Sequence, residues 1–466
     1  MADTETADTE TADTAMADRV AVAFNEQARS RGSGLLAITE RLEKHPTLER
    51  WPGEYLPRPL FLGRREVRSF AGDLQRLAGL LFSLPERLFD GDMDRFCAAV
   101  HVTGERAALM RRLGAATAPV CGRADVYHDG TSMKLLEFGT GSELGGWDRA
   151  GEMCRCLLGD EEFAAFADEH GLGYVHHGRY LAGLLRQLGA TVAPGRDPVV
   201  ALLEGPGALA GCHSWRVLQD QMRWLGLDFH LGEVNELSER GGRLCLRGMP
   251  IDVVYRGFEA DQLVGDPDAI AHAELIFRAH EAGTAVLWTP LESNIFCEKT
   301  CMALMSEPCH RDRFTARERA LVDRVLPWTR VLDADAFRSD PDLVEECRHR
   351  RPNLIVKPNG RYGGYGVVPG WKVAEADWLP LLRDKAANGC VVQERVVPRA
   401  EAVIDPVTGA EEPWHAVYGF FYTPLGHAGL EARTLPATES AVIGISGNAR
   451  TRSAVVYHHD QKDEAP

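Results

Sequence analysis

The chain has 466 residues and a formal net charge of −16, from 52 basic and 68 acidic side chains. With 45% hydrophobic and 26% charged residues, it has the composition of a globular protein with a large core. The acidic balance argues against binding to nucleic acid or anionic membranes, because the long-range field repels phosphate. No apolar run approaches the roughly 18–20 residues of a membrane helix, and no secretory leader is visible, so we expect a cytoplasmic protein.

The 11 cysteines are scattered along the chain and do not form a disulfide framework. The Cys-x-Cys at Cys154 and the cysteines between Cys297 and Cys309 lack the spacing of zinc or iron–sulfur ligands. We interpret these thiols as buried or incidental. A cysteine-based enzyme is not favoured, because no cysteine has a recognisable catalytic context.

The N-terminus repeats Ala-Asp-Thr-Glu-Thr and contains no bulky apolar side chain. Such a sequence cannot bury enough surface to offset the entropy lost on ordering, so residues 1–18 are predicted to be a disordered acidic tail. Residues 19–195 are predicted to be a helical region, with a mainly helical pattern from about Val20 to Leu113 and further helices at Met153–Phe166 and Tyr180–Leu188. Pro85 ends a helix whose apolar residues recur at helical spacing: Phe70, Leu74, Leu77 and Leu81.

Between residues 196 and 290 the pattern changes to short apolar strands that alternate with helices. Val199–Leu203 is a continuous apolar run typical of a buried strand, and further strands are predicted at Phe229–Leu231 and Ile251–Tyr255. A helix around Trp215 separates the first two strands. This succession predicts a small α/β subdomain with parallel pairing, and it lacks a dinucleotide fingerprint.

The last third of the chain is rich in predicted strands and ends in a polar segment, 459–466, that is predicted to be frayed. The predicted strands are Leu354–Lys357, Val391–Val397, Ala416–Tyr422, Ala428–Thr434, Ala441–Ile445 and Ala454–Tyr457.

A glycine-rich loop follows the first of these strands. Lys357 stands at its entrance, and Gly360, Gly363, Gly364 and Gly366 follow within nine positions. Glycines at this density let backbone N–H groups approach an anion closely, and a lysine adds a point charge for phosphate. The loop is not a Walker A motif. Taken alone, it fits a phosphate cradle or a flexible hairpin tip.

Two carboxylates are predicted to meet on a hairpin. Arg123 and Asp125 precede an Asp129-Gly130 turn, and Glu137 follows it. On antiparallel strands Asp125 and Glu137 would lie side by side. Paired carboxylates beside an arginine suit a Mg2+–polyphosphate site, although a surface ion-pair network would have the same sequence.

In this order, the segments resemble the glutathionylspermidine synthase-type, circularly permuted ATP-grasp ligases. The resemblance spans about residues 123–457 and rests on weak motifs in the right succession. It implies an α/β (α+β) ATP-grasp fold, circularly permuted, with a helical N-terminal part. The α/β subdomain at 196–290 corresponds to a pre-ATP-grasp-like insertion, and residues 291–458 to the nucleotide-binding region with a glycine-rich lid.

The resemblance also implies a role for each matching residue. Arg123 clamps the transferring phosphate, and Arg433 is a candidate for holding the acyl phosphate. Asp125 and Glu137 become Mg2+ ligands. The residues that would bind ATP are Lys299, Lys357, Gly360, Gly363, Gly364, Gln393, Glu394 and Val396.

One position departs from the family pattern. The family usually has an asparagine metal ligand two residues after the glutamate, where this chain has Gly139. Water, or an oxygen from Thr140 or Ser142, is a candidate replacement. The departure leaves the metal geometry open.

The implied activity is an ATP-dependent ligase that activates a small carboxylate, such as an amino acid, as an acyl phosphate. The acyl phosphate then reacts with an amine, and ADP and phosphate are released. One alternative is loading of an amino acid onto a carrier-protein thiol. Another is a non-catalytic nucleotide-binding module, which Gly139 favours. Small-molecule carboxylates and amines, and a carrier protein in the first alternative, are the expected partners; the oligomeric state is not indicated.

Overall fold

A computed structural model of the protein describes the following residues: 17–46, 48, 54–115, 118–361, 363–440, 442–444 and 448–459. The predicted acidic tail lies outside the described residues up to position 16, whereas positions 17 and 18 already belong to a helix. Of the segment predicted to be frayed, residues 460–466 lie outside the described residues and His459 ends a strand.

The helices form where apolar side chains recur at helical spacing. The predicted pattern around Phe70 is confirmed, because its apolar residues are all buried in one helix that ends at Phe82. Pro85 lies in the first turn of the next helix, where a missing N–H is tolerated. The α-helices of the described residues are α1 (17–29), α2 (Glu40–Glu43), α3 (Arg64–Phe82), α4 (Leu84–Phe89), α5 (Met93–Ala99), α6 (Gly104–Arg112), α7 (Ala150–Leu157), α8 (Glu161–Glu169), α9 (His177–Gly189), α10 (His213–Trp224), α11 (Pro267–Glu281), α12 (Lys299–Ser306), α13 (Ala316–Val325), α14 (Ala336–Ser339), α15 (Pro341–His349) and α16 (Glu375–Ala386).

The strands build several separate sheets. In chain order, those of the described residues are β1 (Leu60–Gly63), β2 (Gly122–His128), β3 (Met133–Thr140), β4 (Leu172–Gly173), β5 (Val199–Glu204), β6 (Asp228–Glu233), β7 (Leu237–Arg240), β8 (Arg243–Leu246), β9 (Met249–Pro250), β10 (Val253–Arg256), β11 (Val286–Trp288), β12 (Thr329–Leu332), β13 (Leu354–Pro358), β14 (Val368–Pro369), β15 (Cys390–Glu394), β16 (Glu401–Ile404), β17 (Glu411–Thr423), β18 (Gly426–Pro436), β19 (Arg452–Ala454) and β20 (Val456–His459).

The largest sheet joins parts of the chain that are far apart in sequence. Its order is β19-β18-β17-β2-β3, with β16 paired to β17 outside this path, and its pairs are antiparallel. Along β2 the side chains alternate between the two faces. Ala124 and Val126 are fully buried in the core, whereas Arg123 and Asp125 face the other way. The hairpin β2–β3 therefore presents its polar face beside strands from the end of the chain.

The predicted α/β subdomain contains a parallel sheet of order β11-β10-β5-β6, which confirms the parallel pairing. Helices cover both faces of this sheet. Val200 and Leu202 pack with side chains of α9 and α10, whereas Ala201 and Leu203 pack in the cluster that contains apolar residues of α11. Burial on both faces explains why β5 reads as an uninterrupted apolar run.

A third sheet, β12-β15-β13-β14, is antiparallel, with apolar side chains on one face and polar side chains on the other. Val356 and Val392 point into an apolar cluster that contains Trp378 of α16. Because side chains alternate along a strand, Lys357 and Gln393 point to the opposite face.

The beginning and the end of the described chain meet in a small sheet of order β1-β20-β4. β1 is parallel to β20, with Leu60 opposite Val456. Phe24 of α1 packs against Phe61 and against Phe166 of α8. The predictions did not include β1, because its short apolar run merges into the pattern of α3.

Three predicted strands differ from the structure. Residues 442–444 do not form part of a strand; Ile443 is apolar because it packs against Val417 and Leu435. The strand expected over Val391–Val397 ends at Glu394, and the segment expected over Ala454–Tyr457 is divided between β19 and β20.

Across the described ranges, no helix combines the length and hydrophobicity that crossing a bilayer requires.

Candidate active site

A cavity of about 310 Å³ lies where the large antiparallel sheet meets the sheet that contains β13 and β15. Most of the residues singled out from the sequence line it. They are Arg123, Asp125, Glu137, Lys357, Gly363, Gly364, Gln393, Glu394, Val396 and Arg433. The other two do not line it: Lys299 contacts the lining residue Glu137, and Gly360 donates its N–H to Glu298. Residues from three separate segments of the sequence thus converge on one cavity.

The two predicted carboxylates are direct neighbours across the hairpin. Asp125 of β2 pairs with Glu137 of β3 in the strand register. The tight turn, in which the Asp129 carboxylate accepts hydrogen bonds from the backbone N–H groups of Thr131 and Ser132, does not give this pairing by itself. A register shift between Asp125 and Val126 adds one residue on the other strand and brings the two carboxylates opposite each other. The expectation that the hairpin brings the two acids side by side is confirmed.

Asp125 lies between two arginines. Its Oδ1 accepts a hydrogen bond from Arg123 Nε at 2.9 Å, and its Oδ2 accepts one from Arg433 Nη2 at 2.6 Å. Burial alone would raise the pKa of Asp125, but the two guanidinium groups lower it to about 2. Asp125 is therefore ionised at all physiological pH values, and it holds both arginines at the cavity wall.

Contacts within the protein fix Nε and Nη1 of Arg123. In addition to the Nε contact with Asp125, its Nη1 donates to the Gly145 carbonyl at 2.8 Å and lies 2.9 Å from Glu431 Oε1. Its Nη2 makes no hydrogen bond with any described residue. A guanidinium fixed in this way offers its remaining N–H groups to an anion in the cavity.

Lys357 is 6% exposed and enters the cavity from β13. Its Nζ donates to Gln393 Oε1 at 2.6 Å and to the Leu136 carbonyl at 2.8 Å. Burial lowers the pKa of Lys357 to about 8, although the carboxylate of Glu137 opposes this shift. The amine is thus protonated at neutral pH, close to its titration range.

Lys299 connects the hairpin to the glycine-rich loop. At the N-terminus of α12, its Nζ lies 3.3 Å from Glu137 Oε1 and donates to the Arg361 carbonyl at 2.7 Å. The preceding residue, Glu298, accepts a hydrogen bond from the Gly360 N–H at 2.6 Å. These contacts anchor the first part of the loop, while Gly363 and Gly364 line the cavity.

Part of the cavity lining is apolar. Beyond the end of β15 the chain continues through Val396, Val397 and Pro398, which line the cavity together with Ile355. Apolar side chains of this kind can pack on the faces of a nucleobase. The charged residues Glu394 and Arg395 line the cavity beside this segment.

Gly139, which departs from the family pattern, lines the cavity on the same strand as Glu137. A Cβ there would lie 2.9 Å from Leu144 Cδ2, so Leu144 occupies the space of a longer side chain. The two side chains suggested as replacement ligands, Thr140 and Ser142, do not line the cavity. The Thr140 hydroxyl donates to the Ser293 carbonyl, and the Ser142 hydroxyl donates to the Arg256 carbonyl.

The donor set fits Mg2+ that arrives with phosphate. Among the described residues, no group of three or more His, Cys, Asp or Glu side chains is placed to hold a metal ion. Asp125 and Glu137 offer two adjacent carboxylates, and Mg2+ bound with a nucleotide uses one or two carboxylates plus phosphate and water oxygens. Each carboxylate already contacts a cationic side chain, so a metal would share these oxygens.

The thiols do not form a nucleophilic centre. The cysteines are free, and most of them are buried. Cys297 lines the cavity, but burial raises its pKa to about 12, so it stays a neutral thiol.

The sequence reasoning missed several residues of the site. Glu431 stands two positions before Arg433, and alternate residues of a strand share a face, so this spacing was a usable signal. Tyr127 stands two positions after Asp125 and also lines the cavity. Burial raises the pKa of Tyr127 to about 12. Trp371 is held by a hydrogen bond to the Ser440 carbonyl, and no local pattern indicates this contact.

The fold is similar to solved structures at low sequence identity. A glutathione synthetase-like effector from Globodera pallida, in its apo form, matches with a TM-score of 0.55 and 13% identity, over 91% of this chain and 96% of that chain. A putative gamma-glutamylcysteine synthetase from Methylobacillus flagellatus KT gives 0.41 and 13%, over 81% and 87%. D-alanyl-alanine synthetase A from Vibrio cholerae O1 biovar eltor gives 0.25 and 15%, over 47% and 67%.

The first similarity shows that the chain shares the fold of that glutathione synthetase-like effector, and the expected mixed α/β class is confirmed. The other two similarities are too weak to carry an argument. No protein family and no curated protein matches the sequence.

Proposed function

We propose that the protein is an ATP-dependent ligase that activates a small carboxylate as an acyl phosphate and joins it to an amine, releasing ADP and phosphate. The observation that carries this proposal is the convergence of Lys357, Arg123 and Arg433 with the Asp125–Glu137 pair in one cavity beside a glycine-rich loop. The glutathione synthetase-like fold is consistent with this chemistry.

The cavity suggests how ATP would lie. The base would pack on the apolar side chains near Val396, beside the backbone that follows Glu394. The phosphates would then extend toward Lys357, Gly363 and Gly364, within reach of positive charge and backbone N–H groups. Lys299 keeps its position behind the glycine-rich loop and adds a second cation near the phosphates.

Phosphorylation of a carboxylate brings two anions together, so the site must position them and neutralise charge. Arg123 and Arg433, which donate to different oxygens of Asp125, would bind oxygens of the transferred phosphate. Asp125 and Glu137 would hold Mg2+. When bound, this ion would reduce the negative charge on the phosphates and orient them.

The substrates would occupy the part of the cavity lined by Glu143, Leu144, Gly145 and Glu259. Glu143 is held there by Arg256 Nη2 at 2.7 Å and Asn294 Nδ2 at 2.6 Å. Because Arg256 balances the charge of Glu143, Glu259 is the carboxylate of this part that would favour a substrate with a positively charged nitrogen, such as an amino acid.

We also propose the circularly permuted ATP-grasp arrangement, with the regions 19–195, 196–290 and 291–458. Its support is the large sheet, in which β2 of the hairpin pairs with β17, a strand that follows the β12–β15 sheet in the chain. The hairpin thus comes earlier in the sequence than the strands β17, β18 and β19, whose sheet it extends.

The decisive experiment is a screen for ADP release by the purified protein with amino acids, with and without amine acceptors. Substrate-dependent release of ADP and phosphate supports the ligase. We expect Lys357→Ala and Asp125→Asn to lower the rate by about 10²–10³-fold, the size of effect seen when a preorganised charge is removed. Lys134→Ala is the matched control, because Lys134 also lies on the hairpin but its Nζ donates to the Arg324 carbonyl.

Other outcomes point to other functions. Nucleotide binding without substrate-dependent ADP release would indicate a non-catalytic module, which the missing metal ligand at Gly139 favours. ADP release that needs a phosphopantetheinyl carrier protein would indicate a thioester product. Release of AMP and pyrophosphate would contradict the acyl-phosphate mechanism.

A further inference from the structure

Glu431 is a buried carboxylate beside the cavity that does not line it. It lies on β18 and is 3% exposed. Its Oε1 is 2.9 Å from Arg123 Nη1, and its Oε2 is 3.5 Å from Arg149 Nη2. A buried carboxylate is costly unless it is paired, and Glu431 is paired with the arginine that we place against the transferred phosphate.

The contact between Arg123 and Glu431 spans a whole strand. Gly419 of β17 pairs with Asp125 of β2 on one side and with Glu431 of β18 on the other. A Cβ on Gly419 would lie 2.7 Å from Arg123 Cδ and 3.0 Å from Glu431 Cγ. Glycine in the middle of a strand marks a close approach. Here it leaves room for the arginine to reach the next strand.

A second glycine clears space on the other side of the carboxylate. Gly146 has a φ of +103°, and a Cβ there would collide with the Glu431 carboxylate. Burial by itself lowers the pKa of Arg123, but Asp125 and then Glu431 stabilise its charge, and the pKa is raised above its ordinary value. The two glycines and the charges thus all favour the contact between Arg123 and Glu431.

Arg123 needs this second carboxylate because Asp125 is shared. Asp125 also accepts a hydrogen bond from Arg433, and in the proposed function it holds Mg2+ as well. Without Glu431, metal binding to Asp125 would leave Arg123 with the uncharged Gly145 carbonyl as its anchor. Glu431, outside the cavity, keeps its contact with Nη1 whatever occupies the site.

We propose, on the basis of the proposed function, that Glu431 is a positioning residue that holds Arg123 against the terminal phosphate of ATP. Glu431 acts only through Arg123, so its removal affects the contact with the third phosphate and spares the contacts with the base and the first two phosphates.

The test compares the affinity for a non-hydrolysable ATP analogue with that for ADP, each with Mg2+, by isothermal titration calorimetry. We expect Glu431→Gln to weaken binding of the analogue by about tenfold and to leave the ADP affinity unchanged, as for the loss of a hydrogen bond to a charged group. A general loss of structure would weaken both ligands together.

Glu401→Gln is the matched control. Glu401 is 5% exposed, and it pairs with Arg58 Nη2 and Arg399 Nε, each at 2.9 Å, away from the cavity. We expect this variant to lower the melting temperature and to keep the wild-type ratio of the two affinities. An equal change of the ratio in Glu401→Gln would overturn the proposal.

Gly419→Ala tests the same contact with every charge in place, and it decides the question if Glu431→Gln fails to fold. Its methyl group separates Arg123 from Glu431, so we expect the same selective loss. A wild-type ratio in folded Glu431→Gln or in Gly419→Ala would overturn the positioning role. If the wild-type protein binds neither nucleotide, the proposed function itself fails.

Discussion

Gln393 holds the amine of Lys357 from a neighbouring strand, with 2.6 Å between Oε1 and Nζ. The orientation of the Gln393 amide is fixed in turn, because its Nε2 donates to Thr329 Oγ1 at 3.0 Å. The lysine therefore has its place before any ligand enters. Such preorganisation lowers the cost of ordering the site when phosphate binds.

Nucleotide affinity is expected to fall above pH 8. Burial lowers the pKa of Lys357 to about 8, so the amine loses its proton as the pH rises through this value. Phosphate binds the protonated amine, and each further pH unit costs up to tenfold in affinity until the amine of the complex also titrates. Calorimetric titrations with ADP between pH 7 and 9.5 would measure this decline.

Lys357→Arg is the control for this pH dependence, because a guanidinium stays charged throughout the range. Its affinity for ADP, whatever its absolute value, is expected to vary less with pH than that of the wild type. A wild-type affinity that is constant from pH 7 to 9.5 would contradict the assignment of Lys357 to the phosphates.

Removal of either hairpin carboxylate is expected to abolish the effect of Mg2+ on nucleotide binding. Asp125 and Glu137 are the adjacent carboxylates of the cavity, and each substitution, Asp125→Asn or Glu137→Gln, leaves a single acidic ligand. Affinity for the ATP analogue would be measured with and without Mg2+. Glu161→Gln, an exposed glutamate in α8, serves as the control, and an unchanged Mg2+ effect in both hairpin variants would exclude this site.

Gly139→Asn is expected to destabilise the protein by about 1–3 kcal/mol, the usual cost of overpacking. The new side chain would meet Leu144, because its Cβ would lie 2.9 Å from Leu144 Cδ2. The double variant Gly139→Asn with Leu144→Ala should recover part of the loss, because the space is then free. Urea denaturation of the three proteins measures the effect, and equal stability of Gly139→Asn and wild type would show that Leu144 moves freely.

Acid is expected to destabilise the fold between about pH 6.5 and pH 4. Burial lowers the pKa of His427 and of His458 to about 4, and it also lowers that of His177. Within this window the unfolded chain takes up protons that the folded chain excludes. Unfolding therefore becomes easier by at most about 1.4 kcal/mol per pH unit for each such histidine.

Asp148 partly offsets this effect, because burial raises its pKa to about 6 and its folded form takes up a proton in the same range. Replacement of His427 by phenylalanine should flatten the pH profile of the unfolding free energy, measured by denaturant titration at several pH values. A profile as steep as that of the wild type would show that His427 does not contribute.

The sequence was most informative where structure depends on local patterns. The spacing of apolar residues is sufficient to place α3, and a continuous apolar run is sufficient to place β5. The Asp129 turn made the hairpin predictable, but the pairing of Asp125 with Glu137 also needs the register shift between Asp125 and Val126, which no local pattern indicated. The main residues of the candidate site could be named, since each belongs to a short motif.

Contacts across several strands could not be predicted in this way. The path from Arg123 over Gly419 to Glu431 needs the register of three strands, two of which lie about 300 positions from the first in sequence. Ile443 gave a strand-like pattern because it packs on the sheet, without being part of it. In both cases the deciding partner is distant in sequence, and a local pattern carries no information about it.

The strand order of the large sheet also determines when the site can form during synthesis of the chain. Asp125 and Arg433 are 308 positions apart, and they belong to strands that pair only through β17. During synthesis, the hairpin emerges from the ribosome long before the strands that it must join. Until β17 has been synthesised, about 300 residues later, the hairpin therefore has an open strand edge and a partly apolar face, both of which favour aggregation.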